Sequence, residues 1–353
     1  MRVLLRGTGG PGGWPQPGCR CASCGRLTPG HRRPASIVAD DLLRLAPEPG
    51  GAAPGLVLAA TADGWTATGP DGARVLYAGA DASGDPAPPC DLVLIDVLDR
   101  PGRLGDLRRR GVAHERTLVV AVGIDHRVSG EAELARRLGM WGVLAVPDGT
   151  VLEVRPGEVR VHAPGEAPGA AGPAGGPPPR RTLLLGGSGS GKSAEAELRL
   201  AALPEVVYVA TGPSGADDPE WRARVRAHRE RRPAHWRTVE TVDVAGLLRA
   251  DGAPLLVDGL GTWLAAVFDR CGAWESRAGD AEVARHCDEL VAAWRNTARR
   301  VVAVSDEVGL GVVPATASGR RFRDALGRLN QRLAAESEEA ALVVAGRPLP
   351  LPA

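Results

Sequence analysis

Lys192 is the only lysine in the sequence; all the rest of the 43 Lys and Arg residues are arginine. It stands in Gly186-Gly187-Ser188-Gly189-Ser190-Gly191-Lys192-Ser193, a complete G-x-x-x-x-G-K-[ST] phosphate loop. A compact ammonium fits as a point charge between the β- and γ-phosphates of a nucleotide, a place a broad planar guanidinium fills poorly. In such a loop the backbone N–H groups of 187–192 wrap the phosphates, and the following helix adds the positive end of its dipole. Ser193 is placed to give its hydroxyl to Mg²⁺. Asp258 closes the apolar run Leu255-Leu256-Val257, where a Walker-B-type carboxylate would flank the metal. The plainer alternative for Asp258 is a helix N-cap. The chain is expected to bind a nucleoside triphosphate, though the loop by itself does not choose between a GTPase, a kinase and an ATPase.

A second group is more discriminating. Residues 222–238 form a basic stretch, RARVRAHRERRPAHWRT, that carries His228 and His235. An imidazole can attack phosphorus and form a phosphoramidate if cations neutralise the phosphate oxygens. An arginine-rich solvated helix is the alternative from composition alone.

The elements that must hold these groups follow from periodicity. Leu183–Leu185, Val206–Ala210, Leu255–Val257, Val301–Ser305 and Leu342–Ala345 read as buried parallel strands. Helical patterns lie near 193–203, 219–231, 279–299 and 318–336. That alternation predicts an α/β domain with a mostly parallel, doubly wound sheet, whose ligand belongs at the carboxyl ends of the strands. Residues 163–180, APGEAPGAAGPAGGPPPR, cannot bury a face and read as a linker between a first domain, 1–162, and a second, 181–353. The first is also α/β in pattern but strand-richer. Its strands are expected at Val3–Leu5, Leu56–Ala60, Arg74–Ala78, Leu92–Ile95 and Leu118–Val122, with helices near 101–110 and 130–139.

A net charge of +1 leaves no electrostatic footprint for nucleic acid or an anionic membrane. No apolar run approaches the roughly 20 residues of a membrane span, and the N-terminus lacks a signal-peptide pattern. A cytoplasmic protein without membrane insertion is expected. Six cysteines in a chain of this length argue against a disulfide framework. Three of them, Cys19, Cys21 and Cys24, are clustered as thiolates that could hold a structural Zn²⁺ with one further ligand, His162 or His31.

The segments RPAHWRT (232–238), DEVGLGVVP (306–314) and RFRDALGRLNQRLA (321–334), with VVYVATG (206–212), resemble the adenosylcobinamide kinase / adenosylcobinamide-phosphate guanylyltransferase family of cobalamin biosynthesis. The resemblance covers essentially all of 181–353. It implies phosphorylation of the aminopropanol hydroxyl of adenosylcobinamide by ATP or GTP. It then implies transfer of GMP from GTP to that phosphate, giving adenosylcobinamide-GDP and pyrophosphate. The family's histidine nucleophile falls on His228, which leaves His235 structural. Its nucleotide pocket falls on Gly186 to Ser193, on Ala210, Thr211 and Gly212, on Arg229, Glu230, Arg231 and Arg232, on Glu240, and on Asp258. The resemblance also implies a homo-oligomer, a trimer. Two positions depart from the family: Asp306 stands where Asn commonly precedes E-V-G, and Asp258 where some members carry Glu.

The opening MRVLLRGTGGPGGWPQPGCRCASC, with AELARRLGMWGVLAVPDGTVLEV at 133–155, resembles metallo-β-lactamase-fold phosphodiesterases. An active member needs H-x-H-x-D-H to hold two metals. Residues 1–162 contain only His31, His114, His126 and His162, so a truncated, degenerate and non-hydrolytic version of that fold is expected.

Lys192→Arg keeps the charge and loses the fit. Both phosphate transfer and GMP transfer should fall below about a tenth of wild type, measured as kcat/KM for each step. A rate retained above that level would show that the loop does not serve that step.

Overall fold

The computed structural model describes residues 1–46, 48–51, 53–79, 84–165, 178–212, 226 and 229–352. Two compact units result, one of residues 1–176 with 201–204, the other of 177–200 with 205–353.

Among the described residues the first unit holds ten strands and two α-helices: β1 (Arg2–Gly7), β2 (Ser36–Ala39), β3 (Leu43–Ala46), β4 (Val57–Thr61), β5 (Gly64–Thr68), β6 (Arg74–Ala78), β7 (Leu92–Ile95), α1 (Pro101–Arg109), β8 (Leu118–Ala121), α2 (Glu131–Trp141), β9 (Thr150–Arg155) and β10 (Glu158–His162). They form two five-stranded sheets, ordered β10-β9-β1-β2-β3 and β4-β5-β6-β7-β8. The first is antiparallel throughout; the second turns parallel at β6, β7 and β8. Alternate residues of both sheets, among them Val3, Leu5 and Ile37 from one and Val75, Leu92 and Val120 from the other, share one buried core. The five strands and two helices read from the sequence all form. The strands not foreseen, β2, β3, β5, β9 and β10, are short or alternate with exposed polar residues, so they carry no apolar run.

The second unit contains β11 (Arg181–Gly186), α3 (Lys192–Leu200), β12 (Val207–Ala210), β13 (Arg237–Glu240), α4 (Val244–Arg249), β14 (Leu255–Asp258), α5 (Leu260–Arg270), α6 (Asp280–Asn296), β15 (Val301–Asp306), α7 (Ala317–Ala335), β16 (Glu339–Val344) and β17 (Arg347–Leu351). Its seven-stranded sheet has the order β13-β12-β14-β15-β11-β16-β17. Every neighbouring pair is parallel except β16 with β17. The five expected strands are its interior. The edges β13 and β17 escaped the reading because one is largely exposed and the other carries Pro348 and Pro350, which only an edge tolerates. Helix α5 also went unread, although its buried residues Leu260, Gly261, Trp263, Leu264, Val267 and Phe268 fall at helical spacing on one face. Most of the pattern at 219–231 lies outside the described residues. Of the linker expected at 163–180, residues 166–177 lie outside them too.

The only two phenylalanines, Phe268 on α5 and Phe322 on α7, meet edge-on at 5.5 Å, and Trp274 lies 4.9 Å from the first and 5.4 Å from the second. This cluster locks the helices that cover one face of the sheet. Phe268 is 2% exposed, so Phe268→Ala leaves a cavity and should cost about 3–5 kcal/mol. Urea unfolding of the full chain, in the transition that added nucleotide shifts, reads this out.

Candidate active site and a thiol–imidazole cluster

The parallel register lines up the strand ends. Ala210 pairs with both Glu240 and Asp258, Asp258 with Val304, and Gly186 with Asp306. Glu240, Ala210, Asp258, Asp306 and the start of the phosphate loop therefore stand along one carboxyl edge, although up to 120 residues of chain separate them.

The loop's shape is a backbone property. Gly189 (φ +70°) and Gly191 (φ +94°) occupy the left-handed region, and a Cβ on Gly191 would lie 2.9 Å from the Gly346 backbone. The Gly346 N–H donates to the Ser190 carbonyl at 2.8 Å, tying the loop to the turn after β16. Lys192 opens α3, and its ammonium donates to the Gly187 carbonyl at 3.1 Å and pairs with Asp306 Oδ1 at 2.9 Å. The departure from Asn at 306 thus places a carboxylate on the loop lysine. The Asn330 amide holds the Asp306 carbonyl at 3.1 Å, and Ser305 Oγ lies 2.6 Å from Asn330 Oδ1.

Ser193 and Asp258 are brought together as the motif requires: Ser193 Oγ donates to Asp258 Oδ1 at 3.2 Å. One hydroxyl and one carboxylate at a phosphate loop form a hard oxygen donor set. It fits Mg²⁺, which takes one or two protein oxygens and completes its shell with phosphate and water. The other oxygen, Oδ2, receives the Tyr208 hydroxyl at 2.5 Å. Burial, and then the Asp258 charge, push the Tyr208 phenol far above its usual range.

His228 lies outside the described residues. Three arginines of the segment after it are tied to the sheet or to α3. Arg229 donates to Glu240 Oε1 at 2.9 Å, and Arg231 to Glu197 Oε2 at 3.0 Å. The Arg232 guanidinium carbon sits 3.1 Å from the centroid of the Tyr208 ring. Burial lowers the pKa of Arg232, with the nearby negative groups acting the other way. Thr211 is buried, its hydroxyl donating to the Gly259 carbonyl at 2.6 Å and accepting the Gly259 N–H at 3.1 Å, so it braces the turn after β14. Glu197 and Tyr208 went unread as site residues. Tyr208 did carry a signal: it is one of two tyrosines, set within a strand whose neighbours are aliphatic.

In the first unit, Cys19, Cys21 and Cys24 converge as expected, but the fourth partner is His126, neither His31 nor His162. The four ligand atoms lie within 4.8 Å of one another, and His126 Nδ1 stands 3.6 Å from Cys19 Sγ and 3.5 Å from Cys24 Sγ. His31 Nε2 instead meets Glu131 Oε1 at 2.7 Å, and His162 Nε2 lies 3.6 Å from Glu153. The correction has a backbone cause. The Gly10 N–H donates to the Ile124 carbonyl at 2.9 Å and the Ile124 N–H to the Thr8 carbonyl at 3.1 Å, which carries His126 to the thiols. Gly7 and Gly9 allow this turn to pack on residues 33–34, where a Cβ would fall 2.1 Å from the Pro34 oxygen and 2.8 Å from the Arg33 oxygen. Burial pushes the Cys24 thiol up to about 11, and the neighbouring thiols add to it; the Cys24 N–H draws Cys21 down.

A family model described as cobinamide kinase / cobinamide phosphate guanyltransferase matches residues 182–351. The chain is 38% identical over 174 residues to the bifunctional adenosylcobalamin biosynthesis protein CobU of Salmonella typhimurium, a match covering 46% of this chain and 95% of that protein. It is 42% identical over 178 residues to the bifunctional adenosylcobalamin biosynthesis protein CobP of Pseudomonas aeruginosa, covering 48% of this chain and 96% of that one. A solved type III secretion ATPase is similar over 46% of this chain and 50% of its own at 14% identity, with a TM-score of 0.32, too low to bear on the fold. Nearly the full length of relatives at this identity is contained here, carrying the phosphate loop, Asp258 and the arginine segment just described: the chain belongs to the cobinamide kinase / cobinamide phosphate guanyltransferase family.

Proposed function

We propose that the second unit carries out both steps at this one carboxyl edge. The observation that supports this best is the convergence of Lys192, Ser193 and Asp258 with the segment following His228, held there through Glu240, Glu197 and Tyr208. In the kinase step the aminopropanol hydroxyl of adenosylcobinamide attacks the γ-phosphorus of ATP or GTP. A P–O bond forms, the bond to the β-phosphate bridge breaks, the diphosphate leaves and the hydroxyl proton is released. Lys192 and the loop N–H groups hold the β- and γ-oxygens. In the second step an imidazole nitrogen of His228 attacks the α-phosphorus of GTP and pyrophosphate departs. A phosphate oxygen of adenosylcobinamide phosphate then displaces the imidazole, breaking the P–N bond. Arg229 is the cation free to neutralise the oxygens in that exchange, while Arg231 and Arg232 anchor the segment that carries it. Mg²⁺, held through Ser193 and Asp258, would draw charge from the phosphate oxygens. Ala210, Gly212 and Glu230 complete the pocket in the same reading, and a homotrimer is part of it.

For the first unit we propose a non-hydrolytic remnant of the metallo-β-lactamase type that holds one structural Zn²⁺ through Cys19, Cys21, Cys24 and His126. Three sulfurs and one imidazole nitrogen match the donors of a structural zinc site: the nitrogen stands 3.5–3.6 Å from two of the sulfurs, and all four atoms lie within 4.8 Å of one another. Among the described residues no other such group of His, Cys, Asp and Glu is gathered. Six free cysteines fit a reducing, cytoplasmic setting. No helix among the described residues is long and apolar enough to cross a membrane.

His228→Ala should abolish acid-labile labelling of the protein by α-phosphate-labelled GTP while most phosphorylation of adenosylcobinamide survives; His235→Ala should keep the label. The reverse pattern overturns the assignment. Elemental analysis of the full chain should find one zinc, and His126→Ala should weaken its retention against a chelator by about 10-fold or more. Two tightly held metals per chain would refute the non-hydrolytic reading.

A further inference from the structure

We propose that Tyr208 is a positioning residue for Asp258, fixing how that carboxylate faces the phosphate loop, and that Arg232 clamps the ring that does so. The inference rests on the reading of Asp258 as the metal-side carboxylate. On the parallel pair β12–β14, Tyr208 stands opposite Leu256, so Asp258 lies two residues further along on the same face of the sheet. That offset is roughly 6.6 Å, about the reach of a phenol from its Cα. Serine or threonine at 208 would fall short, and phenylalanine would arrive without a donor. The phenol donates to Oδ2 at 2.5 Å while the Ser193 hydroxyl donates to Oδ1 at 3.2 Å. Hydroxyls on the two oxygens, from two different elements, set the carboxylate's rotation. Orientation of a metal-side oxygen is the job that outer partners perform at metal sites.

The ring itself is held from the other side of the site. The Arg232 guanidinium lies over its face, and the preceding Arg231 is bonded to Glu197 on α3, one turn beyond Ser193. Two consecutive residues of the segment that follows His228 are thereby fixed to the strand and the helix that flank the metal-side oxygens. The Arg232 guanidinium meets the ring and, at 3.4 Å, Thr238, and it also feels the Asp258 charge through space.

The test uses the full chain and Mn²⁺ as the probe, titrated by electron paramagnetic resonance with a non-hydrolysable GTP analogue present. Tyr208→Phe should weaken Mn²⁺ affinity about 10-fold and raise the metal concentration for half-maximal kinase rate by a similar factor. Affinity for the analogue in EDTA should stay within about twofold of wild type. Arg232→Met should weaken Mn²⁺ affinity in the wild-type background and clearly less in the Tyr208→Phe background, a non-additivity that identifies the part of its action that runs through the ring. Unchanged Mn²⁺ affinity in Tyr208→Phe overturns the proposal, and so does loss of metal-free nucleotide binding, which would make Tyr208 a general structural residue. Full additivity of the two substitutions removes the clamp. Because these readouts need no corrinoid, a wild-type chain that binds the analogue yet transfers neither phosphate nor GMP would refute the proposed function without deciding this inference.

Discussion

Parallel pairing across β13, β12, β14, β15 and β11 is the constraint on which the site depends. In a parallel ladder all strands run the same way, so their last residues accumulate at one edge, and a single register error would send each terminal side chain to the opposite face. Here the register delivers Glu240, Ala210, Asp258, Asp306 and Gly186 to that edge together. The helices then cover the apolar faces, and the cluster of Phe268, Trp274 and Phe322 shows how tightly α5 and α7 are joined where they do so. Chemistry is left to the rim because it is the part of the sheet that packing leaves open.

At that rim, charge is balanced internally. Lys192 pairs with Asp306, Arg229 with Glu240, and Arg231 with Glu197. The Arg229–Glu240 pair is more than half exposed on both sides, and such pairs contribute only about 0–1 kcal/mol. A polyphosphate, with several oxygens per cation, competes easily for a guanidinium held this weakly. Arg231 differs, since its partner Glu197 is buried, and releasing it would leave a carboxylate in a poorly solvated place. Arg231 and Arg232 are thus better suited to anchoring the segment, and Arg229 to exchange with ligand.

The first unit shows a different use of long-range geometry. Its thiols lie within six residues of one another, but the imidazole comes from a turn about a hundred residues later, carried by two backbone hydrogen bonds between the Thr8–Gly10 turn and Ile124. Trp14, fully buried with its indole N–H on Ser23 Oγ at 3.0 Å, fixes the thiol-bearing loop from inside. A metal there would close a loop of that length, so it would contribute to the folding of the unit rather than to a reaction.

The sequence by itself determined what is local. The phosphate loop, with its glycines at the left-handed positions, was fully legible, as were the central strands and the long amphipathic helices, because each of these is written in contiguous residues. So were the three thiols and the family likeness of 181–353. What tertiary structure alone decided is which distant residues meet. His126 rather than His31 or His162 faces the thiols because strand ends, not sequence spacing, set the approach. Asp306 came to rest on Lys192 because β15 pairs with β11. Tyr208 reaches Asp258 because the parallel register sets that carboxylate two residues beyond the partner of Tyr208, about the length of a phenol. The edge strands β13 and β17 were unreadable for the complementary reason: periodicity reports a boundary between core and water, and a strand with little burial has no such boundary to report.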